Sequence, residues 1–416
     1  MYAAIILITL LVDLILSIVS DVLNLKHMTG ALPKEFEGVY DAEKYQKSQD
    51  YTRVNTRFSW ISSAFSLAIS LIFWFAGGFN WLDLLILQWH LHPIWNGLIY
   101  MGMLMAARSV LSLPFTIYGT FVIEERFGFN KTTLKTFILD LLKGLALSIV
   151  IGVPILAAVL AFFQYAGPLA WIYCWGIVTL FSLFIQYIAP TWIMPLFNKF
   201  TPLKEGELLE KVMAYAKKVE YKLAGIFVID GSRRSTKSNA FFTGFGKNKR
   251  IALYDTLIEK HTTNELVAVL AHEIGHYKKK HVVRGMLISI AHTGVMFFLL
   301  SLFLTQPGLF KAFYMEHMPL YAGFLFFGML YSPVEMLLSL VMNIVSRKHE
   351  YEADTFAAET TRDPAAMIDA LKKLSVHNLS NLQPHPFYVF LNYSHPPVLE
   401  RIQHLRGLEK EITAES

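Results

Sequence analysis

Long apolar runs dominate the chain and are separated by short polar segments. Seven of them are long enough to cross a bilayer as helices, because about 20 apolar residues span the hydrocarbon core. They lie near residues 3–19, 60–76, 95–115, 142–163, 169–188, 283–305 and 319–345. The pattern predicts a multi-pass α-helical membrane protein with about seven transmembrane helices.

The largest polar segment, residues 198–281, shows a mixed pattern. It begins with an amphipathic helical stretch at 205–218, followed by a strand at 225–230 and a predicted hairpin whose strands flank residues 246–248. Apolar residues at helical spacing then lead into residue 271. We therefore predict a small α+β domain attached to the membrane helices.

Four regions follow from this division. We expect an N-terminal membrane region with about five transmembrane helices and two cytosolic loops, then a soluble segment, then the sixth and seventh helices, and then the C-terminal part of the soluble domain. The corresponding residues are 1–197, 198–281, 282–345 and 346–416.

Composition supports a membrane protein and excludes an ordinary soluble enzyme. Hydrophobic residues make up 54% of the chain and charged residues only 17%. Lys and Arg concentrate in alternate loops, so the positive-inside rule places the N-terminus outside and the basic loops in the cytosol. The net charge of +5 thus reflects topology and contact with a lipid bilayer, and no nucleic-acid partner is expected. The single cysteine, Cys174, excludes an internal disulfide.

The sequence His272-Glu273-Ile274-Gly275-His276 is an HExxH motif at the end of the predicted helix. Histidines four residues apart project from one helical face and can bind one Zn²⁺, which leaves Glu273 beside the metal to take a proton from water. Glu350 is a plausible third ligand. The motif precedes the sixth span and Glu350 follows the seventh, so a membrane hairpin brings them together on the cytosolic side.

Three segments together resemble the type I CAAX prenyl proteases, which are integral membrane zinc metallopeptidases of the gluzincin group. They are the HEIGH motif at 272–276, SRKHEYEAD at 346–354 and NYSHPPVLERI at 392–402. The resemblance implies one Zn²⁺ per chain held by His272, His276 and Glu350, with Glu273 as the general base. It also implies transmembrane helices that enclose a chamber and a cytosol-facing, gluzincin-like peptidase domain.

Further residues receive supporting roles. Asp354, one helical turn after Glu350, is placed to accept the second ring N–H of a metal-bound histidine. Asn239 and Ala240 resemble the edge-strand element with which zincins bind an extended peptide; the alternative interpretation is simply a strand followed by a turn. His395 is a candidate hydrogen-bond donor to the tetrahedral oxyanion, and Arg401 a candidate contributor of charge to substrate binding; either is alternatively structural.

Other polar residues near the motif receive no catalytic role. Glu352 faces elsewhere on its helix and is assigned no metal contact. His281 and His292 are expected to be packing or interfacial residues. Arg108 and Glu335 lie within apolar spans, where ionisable residues are functional candidates by default.

Two substrate classes follow from the resemblance: prenylated C-terminal peptides, from which three residues are removed, and misfolded membrane proteins cleaved as quality control. The alternative functions are a multi-pass transporter, to which Arg108 would contribute, and a non-catalytic membrane scaffold. Both leave the HExxH motif unexplained. We expect an integral protein of a bacterial cell membrane or the endoplasmic reticulum membrane, with its catalytic site in the cytosol.

Overall fold

A computed structural model describes residues 1–223, 225–243 and 250–414. Its N-terminal half is helical and consists of α1 (Tyr2–His27), α2 (Ala42–Phe75), α3 (Gly78–Leu87), α4 (Pro93–Tyr118), α5 (Leu134–Leu147), α6 (Val153–Tyr165), α7 (Ala170–Ile188) and α8 (Met194–Phe197). The remaining helices are α9 (Glu207–Lys218), α10 (Asp255–Lys260), α11 (Thr263–Lys278), α12 (His281–Phe303), α13 (Pro307–Lys311), α14 (Leu320–Thr361), α15 (Pro364–His377), α16 (Pro386–Asn392) and α17 (Val398–Ala414).

Seven helical segments within the described residues are long and apolar enough to cross a membrane, which confirms the predicted number. Three of them continue through short π-helical segments at Gly119–Glu124, Ser148–Gly152 and Ala189–Ile193. Pro190 lies inside the third of these, and Pro154 lies two residues after the end of the second. A proline cannot donate to the helical hydrogen-bond ladder, so wider turns at these positions keep the spans continuous.

The membrane helices share one apolar core around the aromatic residues of α2, α3, α13 and α14. Trp74, Phe313 and Phe326 are fully buried there, and the Phe313 and Phe326 rings stack 3.8 Å apart. Large apolar side chains on the outer faces are instead exposed, as at Val150 and Trp192. An apolar exterior around an apolar core is the arrangement expected for helices solvated by lipid.

Four strands form a small sheet beside the membrane helices: β1 (Phe200–Pro202), β2 (Gly225–Ile229), β3 (Ala240–Thr243) and β4 (Arg250–Tyr254). Their order is β1-β2-β4-β3, with β2 and β4 parallel and the other neighbours antiparallel. The predicted strands are confirmed, whereas the three-residue β1 carried no sequence signal. The turn predicted at 246–248 lies outside the described residues. Because β3 is an edge strand, one side of its backbone is unpaired within the sheet.

The α11 helix begins at a capping box, in which Thr262 and Glu265 each bond to the other's backbone. Its inner face packs Leu266 and Leu270 against Ile251 and Leu253 of the sheet. These contacts fix the position of α11 on the sheet and the rotation of the helix about its axis.

The α14 helix runs for 42 residues from the membrane region into the soluble domain. It continues without a break through residue 345, where the sequence pattern placed a boundary. One continuous helix therefore carries Glu350 from the membrane region to a position alongside α11.

Candidate metal centre

Three side chains from α11 and α14 converge on one point. The Nε2 atoms of His272 and His276 lie 3.2 Å apart. Glu350 places Oε1 3.2 Å from the His276 Nε2 atom and Oε2 3.4 Å from the His272 Nε2 atom. One ligand atom from each residue lies within 4.8 Å of those of the other two, which is the spacing of a metal site. The structure thus brings together the three predicted ligands.

The donor set fits a divalent metal ion. Glu350 is 3% exposed, and its Oε2 atom is buried without a hydrogen-bond donor among the described residues, although the Arg401 Nη1 atom lies 3.4 Å away. Leaving a buried carboxylate oxygen without a hydrogen bond is costly unless a cation compensates it. Two imidazole nitrogens and a carboxylate aimed at a common centre provide that compensation through a metal.

On its outer side, His272 contacts Asp354. The His272 Nδ1 atom lies 2.8 Å from the Asp354 Oδ1 atom, so the ring can donate Nδ1–H to the carboxylate while Nε2 faces the centre. Burial by itself would lower the pKa of His272, but the hydrogen bond and the charge of Asp354 outweigh it and raise this pKa to about 9. The same negative environment favours a bound cation.

Arg401 forms a salt bridge with Asp354. Its Nε and Nη2 atoms donate to the two Asp354 oxygens at 2.8 and 2.6 Å, and Arg401 is 9% exposed. Burial would lower the pKa of Arg401, but the Asp354 charge raises it, so the guanidinium stays charged. The prediction that Arg401 contacts substrate stays a prediction, since its described contacts are with protein groups.

His276 has a different outer contact that the sequence did not reveal. Its Nδ1 atom lies 3.0 Å from the Nδ1 atom of His281, and the Nε2 atom of His281 lies 3.0 Å from the Glu352 Oε2 atom. His281 was expected to be a packing residue and Glu352 to face elsewhere. The motif gives no signal for this contact, because it depends on how α12 begins relative to α14.

Glu273 and His395, the two predicted catalytic residues, are both accessible to solvent in part. Glu273 is partly exposed and forms no hydrogen bond or ion pair within the described part of the chain, so its carboxylate is free to accept a proton. The His395 side chain is 64% exposed, and its Nε2 atom lies 3.4 Å from the Glu350 Oε1 atom. Arg347 fixes the preceding turn by donating to the carbonyl of Tyr393 at 2.6 Å.

Asn239 and Ala240 stand at the start of edge strand β3, which packs against α11. The carbonyl of Asn239 accepts from the Tyr254 N–H at 3.1 Å. The Asn378 side chain accepts a hydrogen bond from the N–H of the preceding residue, Ser238, and donates one to the C=O of Ser238. A firmly held edge strand beside the HExxH helix can accept an extended peptide by strand addition.

The intramembrane ionisable residues lie elsewhere. Glu335 pairs with His292 at 3.2 Å, between α14 and α12, while Arg108 is exposed on α4. The structure places neither among the ligands of the metal centre.

Gly275 permits the close approach of α11 and α14. A Cβ atom at this position would lie 3.1 Å from the Ala353 Cα atom and 3.2 Å from its carbonyl oxygen. We expect Gly275→Ala to lower the free energy of unfolding by about 1–3 kcal/mol and to weaken metal binding, because the backbone bearing Glu350 must move away. Thermal melting with and without metal measures both effects.

Gly285→Ala on α12 is the matched control, because no atom lies within 4 Å of an added Cβ there. If the two alanine variants melt and bind metal alike, the close approach at Gly275 does not position the site.

Comparisons with known proteins show the family to which the chain belongs. Residues 21–199 match a family model described as CAAX prenyl protease N-terminal, five membrane helices. Residues 202–409 match the model of peptidase family M48. The chain belongs to family M48. The M48 chain is 37% identical over 403 residues to the CAAX prenyl protease 1 homolog of Arabidopsis thaliana, with 94% of each chain covered.

Two further comparisons span most of the M48 chain. It is 35% identical over 398 residues to CAAX prenyl protease 1 of Saccharomyces cerevisiae, covering 89% of this chain and 87% of the relative. The crystal structure of S. mikatae Ste24p aligns with a TM-score of 0.92 at 33% identity, covering 97% of this chain and 99% of that one. The protein is therefore a multi-pass membrane metallopeptidase, which confirms the predicted fold class and enzyme class over the transporter and scaffold alternatives.

Proposed function

We propose that the metal is Zn²⁺, one per chain, and that His272, His276 and Glu350 hold it. In a tetrahedral zinc site with bonds of 2.0–2.2 Å, neighbouring ligand atoms are separated by about 3.3 Å. The two Nε2 atoms lie 3.2 Å apart, and the Glu350 carboxylate approaches both, with Oε1 3.2 Å from the His276 Nε2 atom and Oε2 3.4 Å from the His272 Nε2 atom. The convergence of two imidazole nitrogens and one carboxylate group at this spacing is the observation that carries the proposal. A site with three protein ligands keeps a position open for chemistry.

The proposed reaction is peptide-bond hydrolysis. Zinc in this site would supply Lewis acidity, polarising the scissile carbonyl and lowering the pKa of the attacking water. Glu273 takes the proton from that water and later delivers it to the leaving amine. His395, through its exposed imidazole, donates a hydrogen bond to the developing oxyanion. Asn239 and Ala240 hold the peptide as an added strand, and Asp354 keeps His272 in the tautomer that presents Nε2.

We further propose that the substrate is the C-terminal peptide of a prenylated protein, cleaved on the cytosolic side of the membrane. The names of the Arabidopsis and Saccharomyces relatives, CAAX prenyl protease 1 homolog and CAAX prenyl protease 1, support this substrate class. The excess of Lys and Arg in the loops on the side of the soluble domain supports the orientation.

Metal analysis of detergent-purified protein tests the ligand assignment. We expect one zinc per wild-type chain, and expect Glu350→Ala to lose the metal and all measurable peptidase activity, because two imidazoles alone bind zinc weakly. Removing zinc from the wild type with a chelator should give the same inactive state, and adding it back should restore cleavage. Glu359→Ala, on the exposed face of the same helix, is the control. Stoichiometric zinc in Glu350→Ala would refute this ligand.

A matched peptide pair tests the substrate. We expect a peptide ending in a farnesylated CaaX sequence to be cleaved before its last three residues, with the unlipidated peptide processed more slowly. Equal rates for both peptides, or cleavage of an unfolded membrane protein alone, would favour quality control instead.

A further inference from the structure

His281 contacts the ring nitrogen of His276 that does not face the other two proposed ligands. It is the first residue of α12 and is 6% exposed. Its Nδ1 atom lies 3.0 Å from the Nδ1 atom of His276, and its Nε2 atom lies 3.0 Å from the Glu352 Oε2 atom. Its ring stacks on that of His349 with centroids 3.9 Å apart and planes inclined by only 9°. Both nitrogens and one face of this imidazole are therefore engaged.

Local chain geometry places the ring there. The α11 helix ends at Lys278, and Lys280 adopts a left-handed backbone conformation with φ of +61°. The chain reverses sharply here, and His281, the first residue of α12, therefore contacts the His276 ring. On α14, His349 and Glu352 are three residues apart and share one helical face, so one stacks on the His281 ring and the other accepts its N–H.

The hydrogen positions in the contacts among His276, His281 and Glu352 can be assigned once the metal-binding nitrogen of His276 is chosen. If the Nε2 atom of His276 binds the metal, its Nδ1 atom must carry hydrogen and act as a donor. The Nδ1 atom of His281 must then be the acceptor, which leaves hydrogen on its Nε2 atom. That N–H donates to the Glu352 carboxylate, which is an acceptor only. Each of the three groups has one role compatible with its neighbours.

We propose that His281 and Glu352 are positioning residues for the metal: they fix the tautomer and orientation of His276 through a His276–His281–Glu352 chain of hydrogen bonds. The inference rests on the proposed metal site. It makes the centre asymmetric, since Asp354 contacts His272 directly whereas Glu352 reaches His276 through an intervening imidazole.

Zinc affinity, measured by competition with a chromophoric chelator, tests the proposal with nearly isosteric pairs. His281→Asn keeps an oxygen close to the Nδ1 position and can accept from His276, whereas His281→Leu has the same shape without an acceptor. We expect the Leu variant to bind zinc about 10–100-fold more weakly than wild type, and the Asn variant to stay within about fivefold. Glu352→Gln keeps an acceptor for His281, so it should bind more tightly than Glu352→Leu.

The visible spectrum of the Co²⁺-substituted protein gives a readout that general destabilisation does not move. His281→Leu and Glu352→Leu should both shift its d–d bands, because the orientation of a ligating ring changes. His404→Leu is the control: it removes another interhelical histidine, bonded to Thr355 at 2.9 Å, without touching a ligand. It should leave both the zinc affinity and the spectrum unchanged.

Each outcome decides the proposal. Equal zinc affinities for His281→Leu and His281→Asn, or an unshifted cobalt spectrum in both Leu variants, would overturn it. If His281→Leu fails to fold, the comparison of Glu352→Gln with Glu352→Leu tests the proposal by itself. If Glu350→Ala keeps its zinc, the ligand assignment is at fault; if Glu350→Ala loses zinc while the Leu variants keep it, only the positioning role is refuted.

Discussion

Glu273→Gln is expected to reduce peptide cleavage by about 10²–10⁴-fold while leaving one zinc bound per chain, because general acid–base catalysis typically contributes a factor of this size. Glutamine matches the shape of Glu273 but cannot take a proton from water. The Glu273 side chain is partly exposed and has no bonding partner in the described residues, so its removal leaves no group unsatisfied. Folding and metal affinity should therefore be unchanged.

The measurement is the rate of peptide cleavage alongside zinc content and melting temperature in the same preparation. Glu359→Gln makes the same chemical change on an exposed face of α14 and should retain full activity. Substantial turnover by Glu273→Gln would show that another group takes the proton. Loss of zinc from this variant would show instead that Glu273 helps to bind the metal.

Hydropathy was sufficient to predict the seven membrane spans, but not the short helix α3 that packs into their core. Each of the seven spans is long and apolar, so the cost of exposing backbone polar groups to lipid leaves a helix as its only stable form. The strands Gly225–Ile229 and Arg250–Tyr254 were also readable, because each is a short run of β-branched and apolar residues bounded by polar ones. The strand Phe200–Pro202 was not, since its three residues pair only because β2 lies beside them.

The contacts of the site likewise divide into those that the sequence predicts and those that it does not. His272 and His276 are local to one helix, so spacing alone predicts that they share a face. Their convergence with Glu350 needed only the topology of a membrane hairpin. The contact of His276 with His281 depends on the left-handed turn at Lys280 and on the rotation of α14, neither of which leaves a periodic pattern. Arg347 was missed for a similar reason, because its partners are backbone carbonyls of a distant turn.

The second large effect is expected at Asp354. Asp354→Leu should lower the free energy of unfolding of the metal-free protein by about 3–5 kcal/mol, because it leaves the Arg401 guanidinium charged and buried without its partner. Asp354 is 0% exposed and accepts two hydrogen bonds from Arg401, so solvent cannot replace it. Zinc affinity should also fall by about 10–100-fold, since His272 loses the acceptor for its Nδ1–H.

The double variant Asp354→Leu with Arg401→Met separates these two effects. Replacing a buried ion pair by apolar side chains of similar size is often neutral for stability, so the double variant should melt close to wild type. It should nevertheless keep the weak zinc affinity of Asp354→Leu, because the acceptor for His272 is still missing. Melting of the chelated protein and chelator competition measure the two quantities independently. Recovery of zinc affinity in the double variant would mean that the buried guanidinium charge, rather than the lost hydrogen bond, repelled the metal; the role of Asp354 would then be to neutralise Arg401.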